Sequence, residues 1–136
     1  DAFPRADLME TKSVRSTIKA LRADRLPNLL ILDMSLPTFD IAAGEPGGRP
    51  QGFGGIEVVR HLERDGTNIP FIVVTQHPAI PKDGKMIELA GMEEMVRRES
   101  PRCFRGLIYY SALSGNWQSE LLIMMNDTIN SEGDEE

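Results

Sequence analysis

The chain has 136 residues, a length typical of one domain, and its 40% hydrophobic and 26% charged residues are typical of a globular protein. No apolar stretch approaches the roughly 20 residues that a membrane-spanning helix needs, so we expect no membrane association. The net charge of −6 argues against direct nucleic-acid binding, which would require a basic surface.

The first predicted elements are a short strand and a helix. Residues Ala6–Thr11 are a weak strand candidate, and Ser13 is well suited to cap a helix that follows it. Val14, Ile18 and Leu21 recur at helical spacing, which predicts that one face of this helix is buried.

The stretch from Leu26 to Pro37 contains the most informative residues of the chain. Its apolar run ends at Leu32, and its short length favours a strand of a parallel sheet that is covered on both faces. Asp33 follows at the carboxyl end of this strand, where open α/β sheets gather their ligands and their chemistry. Asp33 is therefore a candidate functional residue, with a plain turn or cap role as the alternative.

A loop rich in glycine and proline, residues 38–54, precedes the second predicted helix. This helix opens at Gly55 and ends at Asp65-Gly66, and its apolar residues are Ile56, Val59 and Leu62. His61 is expected on its exposed side. Phe71–Val74 is predicted to be a second buried strand, and Thr75 follows it.

The last third of the chain predicts two more helices and one more strand. A proline-rich connection from His77 to Gly84 leads to a helix from about Lys85, and Leu107–Tyr110 forms the third buried strand. Asn116 is expected to cap the last helix. The residues expected to face inward are Met86, Leu89, Met92 and Val96 in the first of these helices, and Trp117, Leu121, Met124 and Ile129 in the second.

Strands and helices alternate along this sequence, which implies parallel strands joined by right-handed crossovers. We therefore predict an α/β fold, a doubly wound parallel sheet between two helical layers. Residues 1–130 would form this domain, and residues 131–136 a solvated acidic tail.

The predicted topology brings three polar residues, Asp33, Thr75 and Ser111, to one edge of the sheet. His77 lies near the same edge, so a hydrolase that uses Ser111 with His77 and Asp33 is one interpretation. It is weakened because Ser111 lacks the Gly-x-Ser-x-Gly context of a nucleophile elbow.

Three segments make a more specific match. Asp33-Met-Ser-Leu-Pro37, then Gly55-Ile-Glu-Val-Val, then Ile69-Pro-Phe-Ile-Val-Val-Thr75, resemble the receiver domain of two-component response regulators. The resemblance covers roughly residues 5 to 130 and implies the flavodoxin-like, three-layer receiver fold.

The resemblance assigns a role to each of four residues. Asp33 would accept a phosphoryl group from a histidine kinase or a phosphotransfer protein, and Thr75 would be the switch hydroxyl. Tyr109 would be the aromatic switch residue. The cofactor would be Mg²⁺, bound by Asp33 and by the backbone carbonyl of Ser35. The domain is then expected to be a non-enzymatic, cytoplasmic phosphorelay protein that acts on an output domain or as a homodimer.

The chain departs from the receiver pattern in two places. The acidic pair after the family's first strand has no counterpart, since the chain resembles the family only from its second strand onward. We therefore expect residues before Asp1, or a partner chain, to complete the sheet. The family's lysine after the last strand aligns with Tyr110–Ala112, although Lys82 or Lys85 could reach this edge. These departures keep open a second interpretation, a pseudo-receiver that binds partners without phosphorylation.

Overall fold

A computed structural model describes residues 10–22, 26–35, 54–111 and 116–134 of the chain, with side chains up to residue 130. In these ranges no helix combines the length and the apolar character needed to cross a membrane. In chain order the elements are α1 (Val14–Leu21), β1 (Leu30–Asp33), α2 (Gly54–Arg64), β2 (Phe71–Thr75), β3 (Ala79–Lys82), β4 (Lys85–Glu88), α3 (Leu89–Glu99), β5 (Phe104–Tyr109) and α4 (Asn116–Asp134).

The main sheet is parallel, and β2 lies between β1 and β5. In its register Asp33 pairs with Val74, and Thr75 pairs with Tyr109. The carboxyl ends of the three strands therefore lie at one edge of the sheet. The prediction of an α/β fold with a doubly wound parallel sheet is confirmed.

The two faces of the sheet are covered by different helices. The main core contains Leu32, Val73 and apolar residues of α1, α2 and α3, and Leu107 packs against it. Gly106 belongs to the opposite face, because successive side chains of a strand alternate. A Cβ atom at Gly106 would lie 2.8 Å from the Met124 side chain, which shows that α4 packs on this second face.

The ends of two predicted helices are confirmed by their local geometry. The Ser13 hydroxyl accepts a hydrogen bond from the Ser16 amide at 3.0 Å, and the Ser16 hydroxyl accepts one from the Ser13 amide at 3.1 Å. This reciprocal capping box satisfies two amides at the start of α1. After α2, Gly66 adopts a φ of 68°, the left-handed conformation in which glycine commonly ends helices.

The segment between β2 and α3 differs from its prediction. The predicted helix begins at Leu89 and not at about Lys85, because residues 79–88 form the antiparallel hairpin β3–β4. Asp83 and Gly84 form its turn with φ values of 52° and 79°, as the two central residues of a type I′ turn require. Met86, predicted to be buried, is 61% exposed, whereas Met92 and Val96 of α3 are buried as expected.

Three further burial predictions are wrong. His61 is only 9% exposed, because α1 and α3 both pack against α2. Ile31 is 42% exposed, since the helix on its face of the sheet, α4, packs against β5 and not against β1. Ile129 is 45% exposed; the turn of α4 places Thr128 inward instead, in line with Met124 and Leu121.

Some predictions fall on residues outside the described ranges. They include most of the strand candidate Ala6–Thr11 and the loop 38–54 up to its last residue. At the other end, α4 continues to Asp134, into the stretch 131–136 that the sequence predicts to be a tail.

Candidate functional site at the carboxyl edge of the sheet

The first turn of α2 packs closely against the backbone that follows β1. The Gly55 amide donates a hydrogen bond to the Met34 carbonyl at 3.0 Å. A Cβ atom at Gly55 would lie 2.8 Å from the Asp33 carbonyl oxygen and 3.0 Å from the Met34 Cα. Residue 55 must therefore be glycine for α2 to reach this position, and the contact holds the backbone of Asp33 in place.

The Asp33 carboxylate is oriented by the residue two positions later. Its Oδ1 accepts hydrogen bonds from the Ser35 amide at 3.0 Å and from the Ser35 hydroxyl at 3.1 Å. This is an Asx turn, a local arrangement that aspartate favours at the end of a strand. Among the described residues only Ser35 bonds to this half-buried carboxylate, and it does so at Oδ1.

The Thr75 hydroxyl is fully buried and bonded to the loop that follows β2. It accepts a hydrogen bond from the His77 amide at 3.1 Å and donates one to the His77 carbonyl at 3.2 Å. Asp33 and Thr75 thus lie at the ends of neighbouring strands, as predicted, but each functional group is bonded within its own loop.

Tyr109 ends β5 and Tyr110 follows it, and both lie beside Thr75. Tyr109 pairs with Thr75 in the sheet register and is 39% exposed. The Tyr110 amide donates to the Thr75 carbonyl at 2.9 Å, and its hydroxyl donates to Gln76 Oε1 at 3.2 Å. The Tyr110 ring also packs on Trp117 in the first turn of α4, with ring centroids 5.2 Å apart.

Sequence reasoning missed the contact between Gln76 and Tyr110. The sequence places Tyr110 only at the end of the third strand, where the resemblance expects a lysine, and it places Trp117 only among the apolar residues of the last helix. A polar residue directly after one strand and an aromatic residue directly after its neighbour were the available signal. Their contact depends on the register between β2 and β5, which the sequence does not reveal.

The structure does not assemble a hydrolase triad from the described residues. His77 is exposed, and its backbone is bonded to Thr75, while the Asp33 carboxylate is bonded to Ser35. Lys82 and Lys85 face each other across β3 and β4 next to the hairpin turn.

The fit to Mg²⁺ depends on oxygen ligands near Asp33. Within the described ranges no three His, Cys, Asp or Glu residues are grouped to hold a metal ion. The resemblance assigns two oxygens to the ion, one from Asp33 and one from the Ser35 carbonyl. Mg²⁺ commonly completes its octahedral shell with phosphate oxygens and water, so this short set fits an ion that binds together with a phosphoryl group.

The parallel α/β sheet, with an aspartate and a threonine at the ends of adjacent strands, is consistent with a receiver-like domain. The chain is 24% identical over 123 residues to the Detocs response regulatory protein DtcB of Enterobacter cloacae (strain JD6301), an alignment that covers 88% of this chain and 81% of that protein. It is 32% identical over 84 residues to a protein of the same name from Vibrio alginolyticus, covering 60% of this chain and 56% of the relative.

A third relative has no functional name. It is the uncharacterized protein y4jR of Sinorhizobium fredii (strain NBRC 101917 / NGR234), 26% identical over 121 residues, 88% of this chain and 79% of the relative. No protein-family model matches the chain, and no solved structure is significantly similar to it. The named relatives and the parallel sheet confirm the resemblance to response regulators that the sequence predicts.

Proposed function

We propose that the protein is a signalling receiver in which Asp33 accepts a phosphoryl group from a histidine kinase or a phosphotransfer protein. The observation that carries the proposal is the position of Asp33 at the carboxyl end of β1, in register with the end of β2 and one residue short of Thr75. The names of two relatives support a role in response regulation.

The contacts of Asp33 indicate which oxygen reacts. Ser35 holds Oδ1 with two hydrogen bonds, so Oδ2 is the oxygen that attacks phosphorus. An Oδ2–P bond forms while the P–N bond to the donor imidazole breaks, and the leaving nitrogen takes a proton. Such a transfer depends mainly on positioning, which the Asx turn and the Gly55 contact provide.

Asp33 and the Ser35 carbonyl are the residues that would hold Mg²⁺ in this proposal. When bound, the ion supplies charge neutralisation at the phosphoryl oxygens. The described residues offer one carboxylate for this purpose, and the phosphoryl group itself supplies further oxygen ligands.

Thr75 is the proposed switch residue of the phosphorylated state. Its hydroxyl would leave the His77 carbonyl and donate to a phosphoryl oxygen, a stronger acceptor because it is charged. Tyr109, which is next to Thr75 in the register and partly exposed, would then change its side-chain position and alter the surface offered to partners.

The test is incubation with Mg²⁺ and a small phosphodonor, followed by intact mass spectrometry. We expect the chain to gain one phosphoryl group and the Asp33→Asn variant to gain none. Asp127→Asn is the matched control, since Asp127 is exposed on α4 and is expected to leave the gain intact. A gain that persists in Asp33→Asn would contradict the assignment of Asp33.

One observation favours a second candidate function, a phosphorylation-independent interaction module. Among the described residues no acidic cluster accompanies Asp33, and the residues that follow β5 are Tyr110 and Ser111 where the resemblance expects a lysine. A folded chain that gains no phosphoryl group from the donor would support this alternative and overturn the first.

A further inference from the structure

A short series of contacts joins the Thr75 hydroxyl to the start of α4. The Thr75 hydroxyl bonds to the amide and the carbonyl of His77, and Gln76 is the residue between Thr75 and His77. Gln76 accepts the hydroxyl hydrogen bond of Tyr110, and the Tyr110 ring packs against Trp117. The series thus crosses from β2 to β5 and then to the helix on the second face of the sheet.

Backbone hydrogen bonds tie the position of Tyr110 to that of Thr75, so the contacts at one residue depend on those at the other. The Tyr110 amide is bonded to the Thr75 carbonyl, so the start of the series and its middle are held on the same pair of strands. The conformation of the Gln76 backbone is limited by the two Thr75–His77 bonds on either side of it. A Thr75 hydroxyl that leaves His77 would release Gln76 and, with it, the acceptor of the Tyr110 hydroxyl.

Tyr110 differs from its neighbour Tyr109 in what it touches. Adjacent side chains of a strand point to opposite sides, so only one of the two tyrosines can point towards α4. The contacts with Gln76 and Trp117 belong to Tyr110, while Tyr109 is exposed beside Thr75. A signal that reaches α4 therefore has a route that does not involve Tyr109.

We propose that Gln76 and Tyr110 are positioning residues that transmit the state of the Thr75 hydroxyl to α4 through Trp117. As a response to phosphorylation this inference rests on the proposed function, but the contacts themselves predict coupling in the unphosphorylated chain. The long, exposed Tyr110–Gln76 hydrogen bond is the link that breaks first, because water can replace it.

The first test uses Trp117 as the probe, since it is the single tryptophan of the chain. Thr75→Val removes the hydroxyl and keeps the side-chain shape. We expect it to shift the Trp117 emission spectrum without any phosphodonor, and we expect the shift to be lost in a Tyr110→Phe background. In a Tyr109→Phe background the shift is expected to remain. Circular dichroism checks that each variant is folded.

A second test does not depend on a buried substitution. Gln76 is exposed, so Gln76→Ala is expected to fold and to shift the emission as Tyr110→Phe does. The Gln76→Ala, Tyr110→Phe double variant is expected to show an emission shift no larger than that of either single variant, because both substitutions remove the same hydrogen bond. Additive shifts would overturn the link between Gln76 and Tyr110.

The outcomes separate this inference from the proposed function. Folded Thr75→Val with an unchanged Trp117 emission would overturn the coupling, whatever the phosphorylation result. If the unmodified chain gains one phosphoryl group and its Trp117 emission does not change, the coupling is overturned while Asp33 stays the proposed acceptor. An emission shift in Thr75→Val, in a chain that never gains a phosphoryl group, would support the coupling and reject phosphotransfer.

Discussion

Gly55 shows how a single residue positions the proposed phosphoacceptor. A side chain at this position would meet backbone atoms of Asp33 and Met34, which cannot rotate away as a flexible side chain can. The start of α2 and the loop after β1 are therefore placed relative to each other by the absence of one Cβ atom.

We expect Gly55→Ala to lower the free energy of unfolding by about 1–3 kcal/mol, the usual range for overpacking a tight contact. It should also reduce phosphoryl gain at Asp33, since the displaced backbone carries the acceptor. Urea denaturation measures the first effect and intact mass the second.

Gly91→Ala is the matched control for this substitution. Its Cβ would lie 3.0 Å from the Ile87 Cγ2, a side-chain atom that can move, and alanine favours the helix interior. We expect a change within about 1 kcal/mol in either direction. A loss as large as that of Gly55→Ala would show that the backbone contact is not the cause.

The sequence predicted that Asp33 and Thr75 lie at the ends of strands, but not which groups their side chains form hydrogen bonds with. The strand patterns indicated where each side chain stands along the chain. The Asx turn with Ser35 and the bonds to His77 depend on loop conformations that many sequences would permit. His61 illustrates the same point, because its burial results from packing by α1 and α3, which helical periodicity within α2 does not describe.

The hairpin β3–β4 occupies a segment where the sequence predicts a proline-rich connection and then the first turn of a helix. Met86, Leu89 and Met92 recur every three residues, which is typical of a helical face, and the proline-rich segment before them suggested a loop. The competing signal was Asp83-Gly84, a common type I′ turn pair between two short apolar runs. Ile80 and Ile87 pair across the hairpin and pack into the core, which stabilises it against the helix.

Two methionines test this assignment. We expect Met86→Ala to change the free energy of unfolding by less than about 0.5 kcal/mol, because the side chain is exposed on the hairpin. We expect Met92→Ala to cost about 2–5 kcal/mol, since this side chain is fully buried in α3. Thermal or urea unfolding measures both. Equal losses would instead place Met86 on the buried helical face that the periodicity predicts.

The order of the strands determines which parts of the molecule resist local opening best. β2 is the central strand of the three described in the main sheet, with hydrogen bonds to β1 on one side and β5 on the other. In the hairpin, β3 and β4 are hydrogen-bonded only to each other among the described strands, and half of their residues are exposed. We therefore expect local opening to cost more free energy at β2 than at the hairpin.

We expect the amides of Ile72, Val73 and Val74 to exchange hydrogen more slowly than any amide of β3 and β4. Each of these amides lies in a strand that is flanked by β1 and β5, so its exposure requires the main sheet to open, whereas the hairpin can open by itself. Hydrogen exchange read by NMR measures the difference. Hairpin amides protected as strongly as those of β2 would contradict this order of stability.

The amino-acid sequence predicted the α/β class, the strand that ends at Asp33, and the helices that begin after Ser13 and at about Gly55. These features depend on local patterns, namely apolar runs, caps and glycine turns, which act within a few residues. Three features emerge only in the folded structure: the register that pairs Thr75 with Tyr109, the contact of Tyr110 with Gln76 and Trp117, and the burial of His61. Each of these joins residues from different elements, and their distance in the folded chain follows from packing that no local pattern encodes.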